Sequence, residues 1–123
     1  RIDVFADFDL LGQVVYNLID NAIKFMDEGG TLTLNISRRD KRVYFLIRNT
    51  GQGIPSHEMP HIFERFYKSD KSRSLDREGM GLGLYIVKTV INLHHGEISV
   101  RSAEGEYCEF VFWLPEPGLA RKN

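Results

Sequence analysis

The order of apolar patterns along the chain narrows the fold before any single motif is considered. Residues 10–26 carry Leu11, Val14, Val15, Leu18 and Ala22 on one side at helical spacing, the pattern of an amphipathic helix. Asp7 and Asp9 stand where an N-cap belongs. Residues 31–37 alternate instead, with Leu32, Leu34 and Ile36 on one side, and 42–48 predict a second strand. The polar residues around Arg39-Asp40 between them predict a hairpin. A second helix is expected over 82–94, with Gly96 ending it in the left-handed conformation. A closing hairpin is expected over 97–101 and 107–114, around Glu104-Gly105-Glu106. Residues 2–5 alternate briefly and predict a short strand; 61–67 predict a short apolar helix within an otherwise polar stretch, 49–80. The order helix, hairpin, long loop, helix, hairpin disfavours a doubly wound parallel sheet, in which strands and helices alternate singly. A mixed sheet with helices on one face fits better.

The length suits one domain: 123 residues. With 42 % apolar residues, eight Phe and one Trp, the chain can bury one core. We expect a single domain over 1–123, with its core at about 3–115 and a loose tail at 116–123. A net charge of −1 argues against general nucleic-acid affinity, which needs a basic face. Cys108 is the one cysteine, so no internal disulfide can form; beside Phe110-Val111-Phe112-Trp113 it reads as a small core residue rather than a nucleophile. No apolar run approaches the ~18 residues of a membrane span, and no signal peptide is evident. A chain that opens at Arg1 is expected to be a piece of something longer.

On the first helix Gln13, Asn17, Asp20, Asn21 and Lys24 form a stripe covering roughly one third of the circumference. Two carboxamides spaced i, i+4 can jointly hold a hydrated divalent cation, and Mg²⁺ relies on few protein oxygens together with phosphates. Lys24 adds a point charge for phosphate. The plain alternative is an ordinary solvated face. Two glycine clusters follow. Gly51-Gln52-Gly53-Ile54-Pro55 comes after the second strand, and Gly79-Met80-Gly81-Leu82-Gly83-Leu84 opens the second helix. Neither matches the dinucleotide or P-loop pattern. Glycines at a helix start do let backbone N–H groups approach an anion. Lys68, Lys71, Arg73 and Arg77 between the clusters suit either a lid or a solvated loop.

Taken in order, four segments resemble the catalytic domain of sensor histidine kinases, within the wider gyrase–chaperone–kinase–mismatch-repair ATPase superfamily. They are Asn17-Leu18-Ile19-Asp20-Asn21-Ala22-Ile23-Lys24-Phe25, Asn49-Thr50-Gly51-Gln52-Gly53-Ile54-Pro55, Ile62-Phe63-Glu64-Arg65-Phe66-Tyr67 and Gly79-Met80-Gly81-Leu82-Gly83-Leu84. The resemblance covers about residues 3–115. It implies a Bergerat-type two-layer α/β sandwich, with a mixed, mostly antiparallel sheet, about three helices on one face, and ATP held under a lid. It implies that Asn21, helped by Asn17, binds Mg²⁺ and that Lys24 touches phosphate. Phe25 would line the base pocket beside Asn49, while Gly51 and Gly53, with Ile54 after them, would let the backbone pass close to adenine. Phe66 and Tyr67 would pack the lid, which carries Arg73. The backbone at Gly79, Gly81, Leu82 and Gly83 would face the phosphates. Lys68 stands where many members have Arg.

The chemistry implied is transfer of the ATP γ-phosphoryl group to a histidine on an upstream dimerisation domain, with a response regulator as the next partner. The parent is expected to be a homodimer anchored in the bacterial cell membrane, with this domain in the cytoplasm. None of His57, His61, His94 and His95 reads as the acceptor. Asn17 occupies the place of the hydrolytic Glu of topoisomerase- and chaperone-type ATPases, and the catalytic acid of anti-sigma serine kinases is expected near the same place. Both rivals are therefore disfavoured. A degenerate docking module that binds no ATP is a further rival.

Two departures from the family pattern stand out. Asn49 replaces the usual Asp that accepts from the adenine amino group. Because an amide can flip, Asn49 is expected to keep ATP binding but to discriminate less sharply against GTP. Met80 replaces a small hydroxyl residue. Two further patterns are decoys. His57-Glu58-Met59-Pro60-His61 has the zinc-protease spacing, but Pro60 disfavours the unbroken helical turn that spacing needs. His94-His95 fits a plain favourable interaction with a helix C-terminus.

Overall fold

In the computed structural model, which describes residues 3–65, 67 and 83–117, Asp7 opens the first helix. Its backbone is extended (φ −69°, ψ 122°) and its carboxylate accepts from the Leu10 N–H at 2.9 Å, so one orphan donor of the first turn is satisfied. Helix α1 runs Phe8–Phe25. The strand expected over 2–5 is absent from the described residues: residues 3–7 are irregular. The Asp7 N–H donates to His94 Nε2 at 3.1 Å rather than to a strand.

Four strands follow: β1 (Leu32–Arg39), β2 (Arg42–Thr50), β3 (Glu97–Ala103) and β4 (Tyr107–Pro115). Their order in the sheet is β1-β2-β4-β3, and each neighbouring pair is antiparallel. Asp40 and Lys41 join β1 to β2 with φ of 56° and 64°. Two left-handed residues make a turn whose twist matches the strands it joins.

Helix α1 and helix α2 (Gly83–Leu93) cover one face of this sheet, completing the two-layer sandwich. Val14, Leu18 and Ala22 from α1 meet Val87, Val90 and Ile91 from α2 over Ile47, Phe110, Phe112 and Leu114. Each such side chain stabilises the fold by roughly 1.5–3 kcal/mol on burial. Phe45 and Phe112, directly opposite in the register, stack at 4.5 Å between ring centroids. Leu34 and Ile36 point to the same side as this core yet remain 54 % exposed. They lie on the edge strand β1, beyond the main helix contacts, which fall on β2, β3 and β4.

The apolar helix expected over 61–67 is instead a single 3-10 turn, Met59–His61, followed by turns. Pro60 within that turn cannot donate to an α-helical ladder. Packing still holds the segment: Ile62 is buried and Phe63 meets Phe110 edge-on at 6.1 Å.

Helix α2 ends differently from expectation. His95, not Gly96, takes the left-handed conformation (φ 67°). Gly96 N–H donates to Ile91 O and His95 N–H to Asn92 O, both at 3.0 Å, the bond pair of a Schellman motif with Gly96 one residue beyond the left-handed position. Glycine is needed there for close approach, because a Cβ on Gly96 would collide with the Trp113 carbonyl.

On the opposite face, Glu109 is nearly buried (side chain 7 % exposed) between Arg48 at 3.4 Å and Arg101 at 3.3 Å, across three strands. Arg48 also lies over the Tyr107 ring at 3.8 Å, and Arg42 over Trp113 at 3.9 Å. The arginines on this face are thus spent on its own carboxylate and rings. At the end of β4, Glu116 is fastened by its N–H to Lys41 O and by its carboxylate to Arg38.

Candidate functional site

The two helices carry their apolar sides inward, which leaves the carboxamide stripe of α1 at the rim, beside the start of α2. Asn17 and Asn21 are both half-buried. Asn17 Nδ2 donates to the Gly83 carbonyl at 3.5 Å. Asn17 therefore lies next to the start of a helix, an end where backbone N–H groups are unpaired and the dipole favours an anion. Lys24, on the same stripe, is paired with Asp20 at 3.3 Å, each side chain 41 % exposed. Such a surface pair is worth little, so a more highly charged anion can draw Lys24 away.

Asn49 is 3 % exposed and ends the inward row of β2, opposite Cys108. Its Nδ2 donates to the Thr50 carbonyl at 3.1 Å. The glycines that follow have reasons internal to the fold. Gly51 (φ 149°) bridges Met26 and leaves no room for a Cβ against the Phe25 carbonyl. Gly53 (φ 73°) sits on the β3–β4 hairpin, and a Cβ there would lie 2.7 Å from Ala103 O and 2.9 Å from Tyr107 O. Both glycines are expected to allow close passage of adenine; the structure also gives each a backbone neighbour. Gly83 differs: a Cβ there meets nothing within 4 Å.

Ile54 packs on the core, and its N–H donates to Ser102 Oγ at 2.7 Å. Ser102 Oγ in turn donates to Tyr107 O at 3.0 Å. Ser102 thus anchors the glycine-containing turn, a role that sequence reasoning missed because nothing local distinguishes it from any serine in an alternating strand. Tyr67 packs against the core and its hydroxyl donates to Glu58. Phe25 closes α1, with its carbonyl toward Gly51. Phe66, Lys68, Arg73, Gly79, Gly81 and Leu82 lie outside the described residues.

The histidines are engaged in the fold. His61 Nδ1 lies 2.9 Å from Glu64, and exposed His57 lies 3.9 Å from Glu58, the carboxylate that Tyr67 holds. His94 does more than sit at a helix end. Its Nδ1 bonds the Val90 carbonyl at 2.8 Å while Nε2 accepts from Asp7, tying the end of α2 to the start of α1. No helix among the described residues is long and apolar enough to cross a membrane.

Cys108 is buried, and desolvation, with Glu109 adding repulsion, pushes its thiol up to about 12. A folded pKa above the unfolded value near 8.5 contributes stability below that value and loses it as pH rises toward 12. Iodoacetamide at pH 8 is therefore expected to label the folded chain at least ~100-fold more slowly than the urea-unfolded chain. Equal rates would show the thiol to be accessible. Melting should also weaken above pH 9, by up to ~1.4 kcal/mol per pH unit from this group.

Comparison with known proteins gives one family. Residues 6–118 match the family model described as histidine kinase-, DNA gyrase B-, and HSP90-like ATPase. The circadian input-output histidine kinase CikA of Synechococcus elongatus is 39 % identical over 120 residues, which is 97 % of this chain and 16 % of CikA. Among solved structures, the mycobacterial sensor histidine kinase MprB superposes with a TM-score of 0.81 at 35 % identity, covering 91 % of this chain and 76 % of that one. Full-length ShkA in complex with AMPPNP gives 0.79 at 33 % identity, over 94 % of this chain and 23 % of ShkA. The chain spans between 16 % and 29 % of the length of the sensor kinases it matches in sequence. With Asn17 against the start of α2, on a two-layer sandwich, these relatives place the chain in the histidine kinase-, DNA gyrase B- and HSP90-like ATPase family, as a catalytic ATP-binding domain of the sensor histidine kinase type.

Proposed function

We propose that this chain is one catalytic domain that binds ATP with Mg²⁺ and donates the γ-phosphoryl group to a histidine on an upstream dimerisation domain. The observation that supports the reading is the Asn17–Gly83 hydrogen bond, which sets the carboxamide of Asn17 against the start of α2. Asn21 and Asn17 offer neutral oxygens on one helix face, a donor set that fits a cation keeping most of its waters. When bound there, Mg²⁺ would neutralise charge on the β- and γ-phosphate oxygens. The N-terminus of α2 receives the phosphates, aided by Lys24 once released from Asp20. Asn49 receives the base at the floor of the pocket, beside Phe25 and Ile54. Phe66, Tyr67, Lys68, Arg73, Gly79, Gly81 and Leu82 complete the lid and the phosphate contacts.

Phosphoryl transfer needs positioning and charge stabilisation more than a protein base. That suits a site in which Asn17 cannot take a proton from water, so ATP is held for an incoming imidazole rather than hydrolysed. A response regulator then receives the phosphoryl group. The parent is a homodimer, attached to the bacterial cell membrane with this domain in the cytoplasm.

The test is direct. With γ-labelled ATP and Mg²⁺, the isolated chain should bind nucleotide but stay unlabelled. Joining the helical acceptor domain should give acid-labile label on a histidine of that domain. Phosphate released to water at the same rate with or without the acceptor would support an ATPase instead.

A further inference from the structure

We propose that the β3–β4 hairpin is the template on which the loop 51–54 takes its shape, and that Ser102 is a positioning residue for the nucleotide: its hydroxyl sets how tightly ATP is held, not how fast the phosphoryl group is transferred. The proposal rests on the nucleotide reading of the site.

The strand register brings Ser102 close to the pocket floor. Asn49 lies opposite Cys108, and Cys108 lies opposite Ser102. The three side chains therefore form one row across β2, β4 and β3, on the face that the helices cover. The loop meets this row at Ser102, which is half-buried. Ile54 N–H donates to Ser102 Oγ at 2.7 Å, and a Cβ on Gly53 would lie 2.7 Å from the same oxygen. A hydroxyl has one proton to give, and here it goes to Tyr107 O at 3.0 Å. That bond turns the lone pairs of Oγ toward Ile54. Backbone bonds run alongside in both directions: Gly51 N–H donates to Glu106 O at 3.1 Å, and Gly105 N–H donates to Gln52 O.

The loop needs this outside support. Gly51 and Gly53 take φ of 149° and 73°, and glycine loses more conformational freedom on ordering than any other residue. A loop already held in its bound shape avoids that cost when a ligand arrives. Without the Ser102 oxygen, the part-buried Ile54 N–H has lost its acceptor. An unmade buried bond is expensive, so the loop shifts to find another partner. The side of the base site that Ile54 supplies moves with it.

The phosphate end is built elsewhere, where Asn17 meets Gly83 at the start of α2. A change confined to the base end removes binding that ground state and transition state share, which raises KM and leaves kcat alone.

Calorimetric titration of the 123-residue chain and its Ser102→Ala variant with ATP and Mg²⁺ tests this. The variant should bind about 10-fold more weakly, equivalent to about 1.4 kcal/mol. Ser102→Thr, which keeps the hydroxyl, should recover most of that affinity. With the acceptor domain joined, the alanine variant should show a raised KM for ATP and an unchanged kcat. Three results would each overturn the proposal: an alanine variant that binds ATP as the parent does, a kcat that falls with the affinity, or a threonine variant no better than alanine. A parent chain that binds no ATP would instead sink the nucleotide reading, and the proposal with it.

A further measurement needs neither nucleotide nor substitution. In the parent, the Ile54 amide should exchange with solvent at least ~100-fold more slowly than an unprotected amide. Free exchange at Ile54 would show that Ser102 does not hold the loop.

Discussion

Asn21→Ala is expected to lower phosphoryl transfer to the joined acceptor domain by about 100-fold or more, with the fold intact. A lost metal-ligating or metal-positioning group commonly removes at least two powers of ten, about 2.7 kcal/mol. Stability should move little, because the polar stripe of α1 lies at the rim while Val14, Leu18 and Ala22 on the adjacent side make the core contacts. Alanine is even the better helix former, by up to ~0.7 kcal/mol. The diagnostic result is a melting temperature equal to or above the parent's alongside lost affinity for ATP with Mg²⁺. Full transfer activity in the variant would remove Asn21 from the site and return the stripe to an ordinary solvated helix face.

Gly53→Ala should cost about 3 kcal/mol or more of folding stability, lowering the melting temperature by roughly 12 °C. A left-handed φ of 73° is one cause. The other is the lack of room beside Ala103 O and Tyr107 O, two backbone atoms of the same hairpin that cannot both retreat. Gly83→Ala is the informative contrast. Its Cβ meets nothing within 4 Å and it opens a helix, so alanine should stabilise by up to ~1 kcal/mol. If the backbone there faces phosphate, affinity for ATP should fall even as the melting temperature rises. A Gly53→Ala variant within ~0.5 kcal/mol of the parent would show that the turn is free to rearrange.

These two glycines show where legibility stopped. Both lie in short glycine clusters that look alike along the chain, and both were assigned to a ligand. In space one is hemmed in by its own hairpin and the other is open. No local signal separates them, because the atoms that crowd Gly53 come from residues about 50 positions away. Gly96 is similar. Its place after α2 suggested a left-handed cap, but His95 takes that conformation and Gly96 is required by the carbonyl of Trp113 across the sheet. The short helix expected over 61–67 failed for a local reason, Pro60, while Ile62 is buried all the same.

The amide of Asn49 marks the same boundary. That it departs from Asp was plain from the chain; that its Nδ2 donates to the carbonyl of Thr50, a residue itself paired with Thr31 on the other side of a hairpin, emerged only with the fold. Lys24 was placed on the correct stripe, but its ion pair with Asp20 emerged only with side chains in position.

Periodicity alone determined the two helices, the two hairpins with their internal antiparallel pairing, and the carboxamide stripe, because 3.6- and 2-residue repeats are properties of neighbouring residues. Tertiary structure alone decided which glycines lack room, that Asn49 Nδ2 meets the Thr50 carbonyl, and that Asn17 meets the start of α2. Those outcomes depend on contacts between residues distant in the chain, and a buried polar atom or a missing Cβ acquires its meaning only from the atoms packed against it.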